Sequence, residues 1–189
     1  MTEDEPTRGR RARWSDTFGA GLKRVRALTT GLSREQLNFE PSPDRWSVGQ
    51  CIDHLSVSMD VYLQEMEPAV ERSDRKGGEP YGRGTWMGRF LVRALRKPGK
   101  RYPAPRSFRP ASGTLDPNRV QQEFENQVSR MRRTLARSRG LALGRIKVPW
   151  PVFGLIKISL AQAFELQALH LDRHLDQAER LTRTDEFPA

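Results

Sequence analysis

The sequence predicts an all-α fold built from four long helices, and three observations lead to this prediction. Apolar residues recur at intervals of three and four in four separate segments, which is the spacing of an amphipathic helix. Three of these segments begin with residues that cap helices well. No stretch alternates apolar and polar residues for long enough to predict a convincing strand, although residues 145–148 could pair locally.

The first predicted helix is a single apolar stripe near the N-terminus. Its apolar positions step by three or four residues and are Trp14, Phe18, Leu22, Val25, Leu28 and Leu32. Residues 1–12 before it are polar and charged, so we expect a disordered basic tail there. Residues 38–45 after it contain Pro41 and Pro43, which predict a loop.

The second predicted helix begins at a capping box. Ser47 is followed three residues later by Gln50, while Trp46 and Cys51 take the positions of a hydrophobic staple. The apolar stripe then runs through Val48, Ile52, Leu55, Met59, Tyr62 and Met66. His54 lies at the border of this stripe, where an imidazole can point into the interior of a bundle.

A long connection, residues 73–115, separates the second predicted helix from the third. It is rich in glycine, proline and arginine, and the apolar residues between Trp86 and Leu95 could form a short amphipathic helix within it. The stretch from Pro98 to Pro110 contains four prolines and predicts an extended loop. In a helical bundle such a long connection is often functional, and it allows two consecutive helices to run parallel.

The third and fourth predicted helices both begin at clear caps. Asp116 precedes Pro117 at the start of the third, whose apolar positions are Val120, Phe124, Val128, Met131 and Leu135. After a loop over residues 140–158, the fourth begins at a capping box formed by Ser159 and Gln162. Its apolar positions are Leu160, Phe164, Leu171, Leu175 and Ala178.

The chain contains 3 histidines, and their positions indicate a metal site. His170 and His174 lie one helical turn apart and point to the same side of the fourth helix. His54 from the second helix would complete a three-nitrogen site, and three protein ligands with an open position are typical of a catalytic metal centre. A core or surface role is the alternative, since such a spacing can arise by chance. The HExxH zinc motif is absent, because Leu171 follows the first histidine of the pair.

Several segments, taken in order, resemble those of the DinB-like proteins. The block Trp46–Leu55 resembles the "WS…HL" segment of that family, and the block His170–Gln177 resembles its C-terminal "HxxRHxxQ" segment. Leu37–Pro43 and Pro105–Pro110 resemble further pieces of the pattern. The resemblance extends over about residues 14–182.

The resemblance implies a four-helix bundle over residues 13–183, often dimeric. Its helices would run up-down-down-up, with a long crossover between the second and third. It also implies one divalent metal ion held by His54, His170 and His174. Characterised relatives include thiol transferases that use bacillithiol or mycothiol, a mycothiol-dependent isomerase and proteins assigned as metal-dependent hydrolases.

The chemistry expected of such a site depends on its open position. Imidazole suits zinc, nickel, iron or copper, so the ligand type leaves the metal open. Three neutral ligands favour an anionic fourth ligand, which is hydroxide in a hydrolase and the thiolate of a low-molecular-weight thiol in a transferase. We rank thiol transfer ahead of hydrolysis, because no carboxylate has the spacing expected of a general base, and we assign no catalytic residue.

Three neighbours of the histidines are candidates for roles near the metal. Gln50 lies one turn before His54 and could reach the ligands, although capping alone explains it. Trp46 could wall the pocket, although a hydrophobic staple explains it too. Arg173 matches the family block and could pair with an acid. We expect the long loops 73–115 and 140–158 to shape the pocket, and Cys51 to be a buried, inert thiol.

Composition narrows the classes of function further. No apolar segment is long enough to span a membrane, none reads as a signal peptide, and the single cysteine fits a reducing compartment, so we expect a cytoplasmic protein with no membrane partner. The excess of 33 basic over 23 acidic residues permits contact with nucleic acid, but the basic residues are scattered and no nucleic-acid motif is present. We therefore expect a small-molecule substrate and leave a homodimer open. The rival from another class is a non-enzymatic protein that binds nucleic acid in a stress response.

Overall fold

The structure is a computed structural model that describes residues 5–74, 84–97 and 104–189. The elements of the described residues, in chain order, are helices α1 (Glu5–Thr30), α2 (Arg34–Asn38), α3 (Val48–Glu71), α4 (Trp86–Leu95) and α5 (Pro117–Arg137), strands β1 (Lys147–Trp150) and β2 (Phe153–Ser159), and helix α6 (Leu160–Leu181). A single 3₁₀ turn, Arg106–Phe108, precedes α5. The fold is therefore mostly helical, with one small sheet.

The four predicted helices correspond to α1, α3, α5 and α6, and these long helices pack on one another. Both α1 and α3 lie against α5 and α6. Helix α1 runs parallel to α6, because Trp14 bonds Glu165 while Arg24, further along, bonds Glu179. Bonded pairs show in the same way that α1 is antiparallel to α5, and that α3 is parallel to α5 and antiparallel to α6.

The core lies between these four helices and is filled by the predicted apolar stripes. Large side chains that are fully buried come from each long helix and include Phe18, Ile52, Met59, Phe124 and Phe164. Both predicted capping boxes are present at the starts of α3 and α6, since each serine accepts the N3 backbone N–H and each glutamine accepts the N-cap N–H. The Asp116 cap and the proline after it are also present in α5. These caps set the first residues of α3 and α6, which carry the histidines, and of α5, which packs against α3.

Two features of the N-terminal third differ from the prediction. Helix α1 begins at Glu5, inside the segment 1–12 predicted to be a disordered tail, of which residues 1–4 lie outside the described residues. Arg11 is buried there, and its guanidinium donates to the carbonyl oxygens of Leu135 and Ser138 and to the Ser138 hydroxyl. Because these bonds cap the end of α5, the ordered helix extends further towards the N-terminus than its apolar stripe. The short helix α2 was also not predicted.

A β-hairpin occupies the predicted loop 140–158. Strands β1 and β2 pair antiparallel, with Val148 opposite Ile158. The hairpin is tied to α3 by the indole N–H of Trp150, which donates to the Tyr62 hydroxyl at 3.1 Å. Strand β2 has apolar residues on both of its faces, so it lacks the alternation of apolar and polar residues that predicts a strand. The prediction of an all-α fold therefore holds for the long elements but not for this hairpin.

The short helix expected between Trp86 and Leu95 is α4, and it packs on α6 and β2. The side chain of Gln162 accepts from the backbone N–H of Thr85 and donates to its carbonyl oxygen. Gly88 permits this approach, because a Cβ there would lie 2.2 Å from the Gln162 side chain. The predicted extended loop Pro98–Pro110 falls partly outside the described residues. None of the described helices combines the length and apolar character that crossing a membrane requires.

Candidate metal centre

The three predicted histidines come together between α3 and α6. The ring centroids are 4.8 Å apart for His54 and His170, 4.7 Å for His54 and His174, and 4.6 Å for His170 and His174. One nitrogen of each ring lies within 4.8 Å of the other two. His54 is buried, while the other two histidines keep partial exposure. This group can hold a metal ion that is reachable from solvent.

The orientation of His54 is set by the backbone of the long connection. Its Nδ1 donates to the carbonyl oxygen of Phe108, in the 3₁₀ turn. A carbonyl oxygen only accepts, so the proton of the neutral ring must lie on Nδ1 and the lone pair on Nε2. A donated bond of this kind, from the nitrogen that does not face the ion, is the usual way in which proteins orient a metal-binding histidine.

The orientation of His170 is set by two polar side chains. Ser58, one turn after His54, places its Oγ 3.3 Å from the Nδ1 of His170. Gln167 lies 3.2 Å from the same Oγ, and both Ser58 and Gln167 are almost completely buried. The hydroxyl can either accept the Nδ1–H and donate to the Gln167 oxygen, or accept from the Gln167 amide and donate to Nδ1.

The space between the rings suits either a hydrogen bond or a shared cation. The Nε2 atoms of His54 and His170 lie 3.0 Å apart. Because the lone pair of His54 points into this gap, it can accept a hydrogen bond from a neutral His170 that carries its proton on Nε2, or both nitrogens can bind one cation. Ligand distances of about 2.0–2.1 Å allow two nitrogens at this separation to bind one ion.

The third ring supports the same interpretation. Among the described residues, the Nδ1 of His174 is buried without a hydrogen-bond partner in good geometry, although the Gln177 side chain is near enough to affect its pKa. Buried polar atoms are nearly always bonded, so an orphaned ring nitrogen needs an explanation, and an absent ion is one. The indole of Trp46 lies 4.6 Å from the His54 ring and 5.6 Å from the His174 ring, centroid to centroid, and so covers one side of the group.

The three rings are neutral at neutral pH. Burial lowers the pKa of His54, although its bond to the Phe108 carbonyl acts in the opposite direction. Burial also holds the pKa of His170 well below its ordinary value, helped by His174 and His54. Burial, with His54 and Arg173 acting in the same direction, lowers the pKa of His174 to about 3. Neutral imidazoles have the lone pairs that a metal needs, so no proton has to be displaced on binding.

The other candidates take different positions. Trp46 lies against the rings of His54 and His174, which agrees with the prediction that it could wall the pocket. The side-chain oxygen of Gln50 accepts the backbone N–H of Ser47 and its amide donates to Glu40, which accounts for both polar atoms of the side chain. The Arg173 guanidinium reaches the carbonyl oxygens of Leu95 and Lys97, at the end of α4. It therefore joins α4 to α6 beside the histidines and adds positive charge there.

Nearby acidic and thiol groups are engaged elsewhere or buried. Asp53 accepts the backbone N–H of Ala111 at 2.7 Å, and Asp172 lies 3.5 Å from Arg24. Burial raises the pKa of the Cys51 thiol to about 12, which agrees with the prediction of an inert side chain. Within the described segments, the group that can hold a metal contains the three histidines and no carboxylate.

Sequence reasoning assigned no role at the site to three of its contributors. Ser58 follows His54 by one turn, and Gln167 precedes His170 by about one turn, so helical spacing could have marked both as inward-facing polar residues. The Phe108 carbonyl had a weaker signal, because only the Pro105–Pro110 block pointed to its segment.

Comparison with known proteins gives one match. A family model described as the DinB superfamily matches residues 17–178, which is most of the chain and includes the three histidines. No curated protein and no solved structure matches the chain.

Proposed function

The chain belongs to the DinB superfamily, and on that premise we propose that it is a metal-dependent enzyme acting on a small molecule. The activity proposed is that of a thiol S-transferase of the mycothiol or bacillithiol type. We also propose that α1, α3, α5 and α6 form an up-down-down-up four-helix bundle, with α4 in the crossover between its second and third helices. The helix directions support this arrangement. The domain would include residues 13–183 and the start of α1.

The observation that carries the proposal is the convergence of three neutral imidazoles, two of which have their orientations set by hydrogen bonds. His54, His170 and His174 would hold one divalent ion, zinc, nickel or iron, and the 3.0 Å gap between two Nε2 atoms supports this assignment. When bound, such an ion supplies the Lewis acidity that keeps a low-molecular-weight thiol in its reactive thiolate form.

The other residues of the site would orient the histidine rings, shield them from water and attract an anionic ligand. The Phe108 carbonyl and the pair Ser58 and Gln167 hold two rings in position. Trp46 excludes water from one side of the group. Arg173 adds a positive charge beside it, which favours an anionic substrate or thiol cofactor.

The make-up of the site favours thiol transfer over hydrolysis. Either reaction would start from an anion on the ion, hydroxide or thiolate, which needs no further base. Hydrolysis of an ester or amide also needs a group that gives a proton to the leaving group, and the described residues supply no carboxylate within the histidine group. Attack of a thiolate on an electrophile whose leaving group departs as a stable anion needs no such acid, so the available residues suffice for a transferase of that kind.

Metal analysis tests the site. We expect tag-free protein to contain about one divalent ion per chain, and His170→Ala to lose most of it, because removing one of three ligands breaks the chelate. Asp172→Ala is the matched control, since its exposed carboxylate lies on the same helix and outside the group. Equal metal content in all three proteins would show that the histidines do not hold the ion.

An activity screen tests the reaction. Metal-loaded protein is assayed with electrophiles and a panel of small thiols, and in parallel with esters and amides. We expect thiol consumption that depends on the metal and on His170. Turnover of the esters or amides alone would identify a hydrolase instead, and turnover of neither would leave a metal-binding protein without these activities.

The salt dependence of binding to DNA and RNA tests the rival function, that of a nucleic-acid-binding protein. A nucleic-acid-binding protein loses affinity steeply as salt rises, because binding releases counterions. We expect no measurable binding of DNA or RNA even at low salt, and tight, salt-sensitive binding would favour the rival.

A further inference from the structure

The exposed large apolar side chains are concentrated in one region of the described structure. They are Trp86, Phe90, Phe153 and Leu155, with exposed fractions of 69%, 61%, 60% and 91%. The first two lie on α4 and the others on β2, and these two elements pack against each other. Single exposed apolar residues need no explanation, but a group of four on adjoining elements marks an interaction surface.

The outer face of α4 combines aromatic and cationic residues. Its inner face packs on the core through Leu91, Val92 and Leu95. The exposed positions step along the opposite side of the helix and are Trp86, Arg89, Phe90, Arg93, Arg96 and Lys97. Packing within the chain therefore accounts for one apolar side of this helix and leaves two aromatic rings in solvent.

The outer face of β2 has the same character. Phe153, Leu155 and Lys157 are exposed, and alternate residues of a strand point to one face. The other face carries Ile158, which is fully buried. The hairpin thus adds a second pair of apolar side chains and a cation next to α4.

Both elements are free of negative charge. Residues 86–97 contain four basic and no acidic residues, and residues 145–159 contain three basic and no acidic residues. An acidic residue from α6, Glu165, pairs with Arg96 at the edge of this surface. The exposed side chains of α4 and β2 therefore include four large apolar ones together with cations, and no anion comes from either element.

We propose that this α4–β2 surface docks on an anionic lipid bilayer. The inference is independent of the metal site, and it revises the expectation of no membrane partner, which rested on the lack of a segment long enough to span a membrane. Trp86, Phe90, Phe153 and Leu155 would enter the boundary between headgroups and acyl chains. The cations around them would contact lipid phosphates, which is how amphipathic elements with aromatic and basic residues bind a membrane without crossing it.

Charge and side-chain type favour a bilayer over other occupants. A symmetric contact with a second copy would place each cationic face against its own equivalent, so like charges would oppose each other. Single-stranded nucleic acid would use the aromatic rings for stacking but offers nothing to Leu155, the most exposed of the four. A bilayer interface accepts aromatic, aliphatic and cationic groups together.

Sedimentation with vesicles tests the proposal. Metal-loaded protein is mixed with vesicles of phosphatidylcholine alone or of phosphatidylcholine with phosphatidylglycerol. We expect binding to the mixed vesicles that weakens as salt rises, with little binding to the neutral ones. The double substitution Trp86→Ala/Phe90→Ala should lower the partition coefficient at least about tenfold, and Leu155→Ser should lower it as well.

Charge variants distinguish binding through the α4–β2 surface from a general attraction between a basic protein and anionic vesicles. Arg93→Gln/Lys157→Gln should weaken binding by roughly fivefold per charge. Arg132→Gln/Arg133→Gln is the matched control, because it removes two exposed cations of α5 and should change binding much less. Circular dichroism checks that each variant keeps its helical content.

Several outcomes would overturn the proposal. These are no binding to the mixed vesicles at low salt, equal weakening by both charge pairs, and binding that the apolar substitutions leave unchanged. A dimer in solution that dissociates on Trp86→Ala/Phe90→Ala would assign the surface to a second copy instead. Displacement from the vesicles by single-stranded nucleic acid, with loss of that binding in the same variant, would assign it to nucleic acid.

Discussion

Replacing Ser58 by alanine should weaken metal binding without touching any of the three proposed ligands. The Ser58 hydroxyl is buried, and it connects the Nδ1 of His170 with the side chain of Gln167. In Ser58→Ala the His170 ring loses the partner that holds its rotation. The Nε2 atom is then no longer held towards His54.

The size of the effect follows from what is lost. Groups that orient a metal-binding histidine typically contribute 10- to 100-fold in affinity, which is about 1.4–2.7 kcal/mol. The substitution also leaves Gln167 without the Ser58 hydroxyl in a position where its side chain is 3% exposed. A buried polar group that loses its partner lowers the free energy of unfolding by about 1–3 kcal/mol.

Competition with a chromophoric chelator measures the affinity, and chemical denaturation of the metal-free protein measures the stability. Ser56→Ala is the control, because Ser56 is buried on the same helix but its hydroxyl donates only to the carbonyl of Ile52, within α3. That variant should bind metal within about twofold of the wild type. If Ser58→Ala binds as tightly as the wild type, or if both variants weaken equally, Ser58 does not position His170.

Three further predictions concern stability. The pKa of His174 is lowered from 6.5 to about 3 in the folded chain, so this ring contributes stability that is fully present above pH 6.5. That stability is lost as pH falls towards 3, with a limit of about 1.4 kcal/mol per pH unit in denaturation of metal-free protein, and a flat profile would contradict the burial of a neutral ring. Gly19→Ala should raise the unfolding free energy by about 0.5–1 kcal/mol, because its Cβ would meet nothing within 4 Å. Gly21→Ala should lower it by about 1–3 kcal/mol, because its Cβ would lie 2.8 Å from Leu171, and equal effects of both substitutions would refute this packing. Arg11→Met should lower the thermal midpoint clearly, since the guanidinium bonds the end of α5, and an unchanged midpoint would place the start of α1 outside the fold.

The helices that carry the site were predictable because their signals are local. A serine followed three residues later by glutamine marks the start of α3 and of α6, and each box needs only four consecutive residues to form. The same signal at Ser33 and Gln36 caps α2, which was missed because no apolar stripe follows so short a helix. Local chemistry thus identified helix starts wherever a long amphipathic pattern drew attention to them.

The contacts that support the histidines were not predictable, because they join segments that are distant in the sequence. The bond from His54 to Phe108 joins residues 54 positions apart, and the contact from Ser58 to His170 joins residues 112 apart. Helical periodicity gives the face on which a side chain lies but not the partner that it meets. Local pairing was expected only over residues 145–148, which overlap β1. Strand β2 was missed because it is apolar on both faces, with Leu155 exposed and Ile158 buried.

The electrostatics of the site explain why an anion should complete it. The same burial that keeps His170 and His174 neutral also makes an uncompensated charge expensive at this position. A divalent ion held by neutral rings brings two positive charges, and Arg173 adds a third nearby. Among the described residues, the group that can hold a metal contains no carboxylate that would offset these charges. The balance must then come from outside the chain, and the thiolate of the proposed cofactor or a hydroxide ion would both compensate the charge and react.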